Sequence, residues 1–179
     1  MSNVTIREAA APDFPRLMGF DHSSISKYVW QLDLRKDNGQ VTVGFREVRL
    51  PREVNVKYPR DPFSLADDFT QRTLILMAQI GEEPVGYLCI IEHSKETTAW
   101  ITDLVVTPTR RRSGVGSSLL SAAQDWALSR SDSNIFLEMS SKNYPAIRFA
   151  LKSGFEFCGY NDQYYVTQDV ALFFGRSLL

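Results

Sequence analysis

The segment from Asp103 to Ser118 constrains this chain more than any other. An apolar run, Leu104-Val105-Val106, ends at Thr107-Pro108, and three consecutive arginines, Arg110 to Arg112, lead into Ser113-Gly114-Val115-Gly116-Ser117. Downstream, Val115, Leu119, Ala122, Ala123 and Trp126 recur at helical spacing and form one apolar stripe. A strand therefore enters a glycine-containing loop that opens an amphipathic helix. The first N–H groups of such a helix lack intrahelical partners and lie at the positive end of its dipole. Glycines let the backbone approach a ligand closely, and arginines add charge-assisted hydrogen bonds. The pattern predicts a diphosphate site. Gly-x-Gly by itself fits close helix–sheet packing equally well. A P-loop would need Gly-Lys-Ser/Thr and a dinucleotide fingerprint a third glycine; neither is present.

The 179 residues suit one domain, and a hydrophobic fraction of 44% suits a buried core. Lys+Arg number 20 against 21 Asp+Glu, so no electrostatic footprint points to nucleic acid or an anionic membrane. No apolar run approaches the ~20 residues of a membrane span, and the N-terminus shows no basic leader ahead of an apolar stretch. A cytoplasmic location is expected. Cys89 and Cys158 sit in apolar runs and read as reduced, buried thiols. His22 and His93 are not at metal-ligand spacing, so no metal is expected.

Along the chain, Val4 to Arg7 alternates as a short strand, and Ala11-Pro12-Asp13-Phe14 reads as a helix start. A helical or irregular stretch is expected to Asp33. Asp37-Asn38-Gly39 is a turn; Val41 to Leu50 is strand-like, Pro51-Arg52 breaks it, and Val54 to Tyr58 alternates again. Residues 37–62 thus form a strand-rich arm of unassigned role, ended by the two prolines of Tyr58 to Pro62. Thr73 to Ile80 and Val85 to Ile91 read as a hairpin about Gly81 to Pro84, with Trp100 to Val106 a third strand. After the helix at Gly114, Asn134 to Met139 is a buried-type strand. Asn143 caps a second helix with Pro145 in its first turn, Ile147, Phe149 or Ala150, and Leu151 on its buried side, and a stop at Ser153-Gly154. Phe155 to Tyr160 and Val166 to Phe174 are the last strands. The expected fold is α/β of the α+β type: a mixed, mostly antiparallel sheet with helices on its faces.

Arg111-Arg112-Ser113-Gly114-Val115-Gly116 resembles the Arg/Gln-x-x-Gly-x-Gly/Ala loop of the GNAT superfamily of N-acetyltransferases. Leu104 to Pro108 is similar to the family's fourth strand with its terminal proline, and Asn143-Tyr144-Pro145-Ala146-Ile147 with Gly154-Phe155 to its Asn-x-x-Ala-Ile and Gly-Phe segment. The match covers about residues 73–175, with a weaker one at Val4 to Leu17; residues 20–70 match nothing nameable. The end of the chain faintly resembles streptothricin-type acetyltransferases.

The resemblance implies acetyl-CoA as acetyl donor, a small-molecule amine or a peptide as acceptor, and a splayed pair of central strands. Backbone groups of Leu104, Val105 and Val106 would bind the pantetheine arm, N–H groups of Arg111, Arg112, Ser113, Gly114, Val115, Gly116 and Ser117 the diphosphate, and Asn143 the cofactor near its thioester. Transfer would be direct, in a ternary complex. Glu138 matches a position used as a base in relatives, or is structural. Asp103 binds or deprotonates the amine, or caps a turn. Oxyanion stabilisation would come from an N–H around Val105 or Val106. The family's usual acid, a tyrosine seven residues after the motif asparagine, is replaced by Ala150; Tyr144, Tyr160, Tyr164 and Tyr165 are the nearby alternatives. Substrate contacts are expected from Phe20 to Asp33, from the arm with Arg46, Arg49, Arg52, Lys57 and Arg60, and from Tyr160 to Tyr165. Asp21, Asp33, Asp67 and Asp68 offer the opposite charge, for a cationic amine. Ala150 also admits a rival, a non-catalytic acetyl-CoA-binding module. The arm admits another, an interaction protein pairing through an edge strand, and a homodimer is compatible with either.

Overall fold

A computed structural model describes residues 4–67, 74–93 and 97–179. Thr73 and Asp68 lie outside the described residues. Strand β1 (Val4–Glu8) leads through a short turn into helix α1 (Phe14–Met18). A long hairpin, β2 (Ser24–Asp37) and β3 (Gln40–Val56), is followed by the short helix α2 (Ser64–Asp67). Then come β4 (Leu74–Ile80), β5 (Glu83–His93), β6 (Thr98–Val106), α3 (Val115–Ser129), β7 (Asn134–Ser140), α4 (Tyr144–Lys152), β8 (Glu156–Asn161) and β9 (Ala171–Ser177).

The main sheet has the order β1-β4-β5-β6-β7-β9-β8, in which β6 and β7 are parallel and every other pair is antiparallel. Helices α3 and α4 cover one face. Val115, Leu119, Ala123, Ile147 and Ala150 pack there against inward residues of the strands such as Leu88, Ile90, Ile101, Ile135 and Leu137. The opposite face carries α1 and α2, with Phe14, Leu17 and Leu65 against Ile75, Met77, Tyr87 and Val105. This is the mixed, largely antiparallel α/β architecture that the sequence predicts. Asn143 caps α4, its Oδ1 accepting the Ala146 N–H at 3.3 Å. Gly154, at φ 80°, ends it: the Phe155 N–H returns to the Ala150 carbonyl and the Gly154 N–H to that of Leu151. Leu151 is exposed rather than buried, which leaves Ile147 and Ala150 as the inward positions.

The hairpin departs most from expectation. No helical stretch runs to Asp33; β2 begins at Ser24 and pairs with β3 along its length. Asn38 and Gly39, both at positive φ, make the two-residue turn. Pro51 does not break β3. Ser26 pairs with Val54 and Tyr28 with Arg49, so Lys27 alone faces residues 50–53, and the proline lies in a bulge that needs no N–H from it. Trp30 and Phe45 dock the hairpin on the sheet, their rings 5.8 Å from Phe174 and 5.3 Å from Phe157 respectively. The last strand begins at Ala171 and not at Val166, which is fully exposed. Cys158 is exposed rather than buried, because it stands on the outward side of edge strand β8; Cys89 is buried as expected.

Candidate active site

The parallel ladder between β6 and β7 runs only from Thr98–Asn134 to Ile101–Leu137. Beyond it both strands continue, β6 to Val106 and β7 to Ser140, each paired on its other side alone. The strands splay from this point. Thr102 begins the divergence: Cys89 pairs with Asp103 and Ile90 with Ile101, so Thr102 is an extra, bulged residue. The Thr107 N–H bonds to the Val85 carbonyl at 2.9 Å. Peptide groups of successive strand residues point to opposite edges, so Val105 turns towards β5 while Leu104 and Val106 turn into the gap.

The loop after β6 is fixed by Arg111. Its Nε–H donates to the Val106 carbonyl at 2.9 Å and a terminal N–H to the Asp21 carbonyl at 3.1 Å. Burial pulls its pKa down from the usual guanidinium value. The Arg111 side chain therefore shapes the loop instead of reaching outward. Arg110 pairs with Glu83 at 3.5 Å, and Arg112 stands exposed at φ 64°. Gly114, at φ 92°, precedes α3, whose N-terminus has no side-chain cap. The helical ladder starts with the Ser118 N–H on the Gly114 carbonyl, so the N–H groups just ahead of it are not taken up by the helix. A Cβ on Gly114 would meet nothing within 4 Å, leaving open space in front of these donors. Asn143 stands past the end of β7, and its NH2 makes no hydrogen bond among the described residues.

Where the strands part, the structure brings Asp103 and Glu138 together on the face opposite α3 and α4. Both are buried, and Arg60 lies between them. Its guanidinium pairs with Glu138 Oε1, stands 3.9 Å from Asp103 Oδ1 and donates to the Thr102 carbonyl at 2.9 Å. Trp100 Nε1 and the Tyr164 hydroxyl donate to Glu138 Oε2 at 2.5 and 2.9 Å. Asp103 accepts from the Tyr58 hydroxyl and, at 2.8 Å, from Thr102 Oγ1. Arg60 also lies over the rings of Tyr164 and Tyr165, at 5.9 and 5.3 Å. Burial and the Asp103 charge push the Tyr58 phenol well above its ordinary pKa, and burial raises that of Tyr165.

His22 completes this wall. Its Nδ1 faces the Phe20 carbonyl at 2.7 Å and must donate; its Nε2 is 2.9 Å from the Tyr87 hydroxyl, and its ring is 5.1 Å from that of Tyr58. Burial lowers its pKa, so at pH 7 it is neutral and Nε2 accepts from Tyr87.

Asp103 and Glu138 were therefore legible candidates that meet in space. The sequence marks Arg60 only as one of the arm's basic residues and carries no signal that singles out Tyr58, Tyr87 or Trp100. Of the tyrosines near the motif, Tyr164 reaches Glu138 and Tyr165 lies against the Arg60 guanidinium, whereas Tyr144 packs at a tilt on Tyr28 at 5.0 Å and Tyr160 joins the hairpin cluster beside Phe45. The Cys158 thiol donates a hydrogen bond to the Phe173 carbonyl, and partial desolvation of the sulfur on this otherwise exposed residue raises its pKa.

The splayed parallel pair beside an uncapped, glycine-entered helix is the arrangement expected from the resemblance to N-acetyltransferases. Residues 29–155 match the model of the Acetyltransferase (GNAT) family, and the chain belongs to it. It is an acyltransferase of the acetyl-CoA-dependent kind. Among its relatives is a streptothricin acetyltransferase of Streptomyces lavendulae, 26% identical over 92% of this chain and 87% of the relative. A crystal structure of nourseothricin acetyltransferase superposes with a TM-score of 0.83 at 20% identity, covering 98% of this chain and 99% of that one. A Bacillus anthracis protein described as a streptothricin acetyltransferase, crystallised with acetyl coenzyme A, gives 0.74 at 22% identity over 98% and 99%.

Proposed function

We propose that this enzyme moves the acetyl group of acetyl-CoA to a primary amine of a cationic small molecule by direct attack in a ternary complex. The observation behind this reading is the gap between β6 and β7: uncommitted helix donors lie at its mouth and two buried carboxylates on its far face. In this reading the pantetheine arm lies along β6, paired with peptide groups of Leu104 and Val106. The diphosphate meets the N–H groups between Arg112 and Ser117, and the Asn143 amide contacts the arm nearer the thioester.

On the acceptor face two carboxylates oppose one guanidinium, which leaves a net negative site. That charge favours an ammonium group, in line with relatives named for streptothricin; a peptide N-terminus is the other acceptor of the right chemistry. Asp103 anchors the amine, and Glu138 takes its proton as Arg60 yields its place. The neutral nitrogen then attacks the thioester carbonyl, and a backbone N–H of β6 turned into the gap faces the developing oxyanion. Thiol release measured over streptothricin, aminoglycosides, polyamines, amino acids and peptide N-termini tests this. A cationic amine is expected to be turned over, and Glu138→Gln to slow it about 10²-fold. Acetyl-CoA binding with no thiol released by any amine would instead establish the binding-module alternative.

A further inference from the structure

Residues 21–26 form a strap across the mouth of the gap. At one end Arg111, bonded to the last carbonyl of β6, holds the Asp21 carbonyl at 3.1 Å. At the other, Ser26 Oγ accepts the Tyr144 N–H at 3.1 Å, at the start of α4 and beyond the end of β7. Ser24 lies between these anchors. Alternate residues of a strand face the same side, so Ser24 shares the inward side with buried Ser26, while Ile25 between them is 62% exposed. The Ser24 Oγ is enclosed and has no hydrogen-bond partner among the described residues. A buried hydroxyl nearly always has a partner, so this one calls for an ordered water or a ligand.

Attack on a thioester ends with negative charge on sulfur, which calls for a donor at that point. Helix α4 offers none from its inward side, where Ala150 is fully buried against the core. We propose that the Ser24 hydroxyl donates a hydrogen bond to the thioester sulfur as it leaves. The nitrogen–carbon bond forms, the carbon–sulfur bond breaks, and its electron pair stays on sulfur as thiolate. The proton lost by the nitrogen passes to the acceptor-side carboxylate, and the Ser24 proton remains on its oxygen as the donor. This inference rests on the donor site proposed above.

The test compares the whole protein with Ser24→Ala, Ser24→Thr and, as a control on the outward side of the strap, Ile25→Ala. Ser24→Ala is expected to lower kcat about tenfold or more while the KM for acetyl-CoA stays within about threefold; Ser24→Thr should restore most of the rate and Ile25→Ala should match the parent. Calorimetry supplies a readout independent of turnover. At pH 9 the parent should bind CoA more tightly than desulfo-CoA, which lacks the sulfur, and Ser24→Ala should abolish that preference without weakening desulfo-CoA. An undiminished preference, or a kcat above half the parent value in a Ser24→Ala protein of unchanged Tm, overturns the assignment alone. Failure of desulfo-CoA to bind the parent overturns the donor site and this assignment with it.

Discussion

Arg60 holds the parting strands together by charge. It meets two buried carboxylates and a strand carbonyl at once, so its removal would strand two negative groups away from water. Arg60→Ala is expected to cost about 3–5 kcal/mol in urea unfolding, and Arg60→Lys to recover only part, since an ammonium lacks the planar fork. Nothing local in the sequence marks this arginine, because its neighbours Arg46, Arg49 and Arg52 stand on the hairpin surface. Asp103 and Glu138 were legible because each sits on a strand at a fixed distance from a motif. His22 gives a pH signature. Its folded pKa lies below the unfolded value near 6.5, so the folded state binds fewer protons and the stability it contributes is present above that value and lost as pH falls through it. The fall in Tm between pH 7.5 and 5.5 should be shallower in His22→Gln. The direct transfer proposed above gives the Cys158 thiol no part, so Cys158→Ala should leave kcat within about twofold of the parent.

Among the elements, α3 owes its role to how it begins. A residue other than glycine at position 114 would be forced into a positive φ, and its side chain would project into the open space before the helix donors. Gly114→Asp should raise the Kd for acetyl-CoA more than about 100-fold in calorimetry, through charge and bulk together. This part of the chain was readable because strand, loop and helix signals are contiguous and each has its own period. The hairpin was not. Trp30, Leu32 and Leu34 alternate with Gln31 and Asp33, a strand signal that a helix start at Phe14 obscures when it is extended too far. Pro51 misled for a different reason: a proline excludes the middle of a ladder but not a bulge.

Considered as one molecule, the proposed acceptor face lies where both strands of the hairpin meet at its open end. Ser24 pairs with Val56, so the strap and the loop bearing Tyr58 and Arg60 leave the hairpin side by side. Trp30, wedged among Phe45, Phe157 and Phe174, fixes the whole unit against the sheet. Trp30→Ala should cost about 3 kcal/mol by urea unfolding, and should raise the KM for the amine more than that for acetyl-CoA, because the loop bearing Tyr58 and Arg60 leaves directly from the hairpin whereas the loop after β6 does not.

The bulge at Lys27 gives the hairpin two separately indexed halves. A gained or lost residue in the distal half, near Asn38 and Gly39, can be absorbed where one residue already faces four, so the inward and outward sides of the stem keep their assignment. The tip can thus be lengthened, shortened or recomposed without shifting the register at the base of the hairpin, from which the strap and the loop bearing Tyr58 and Arg60 emerge.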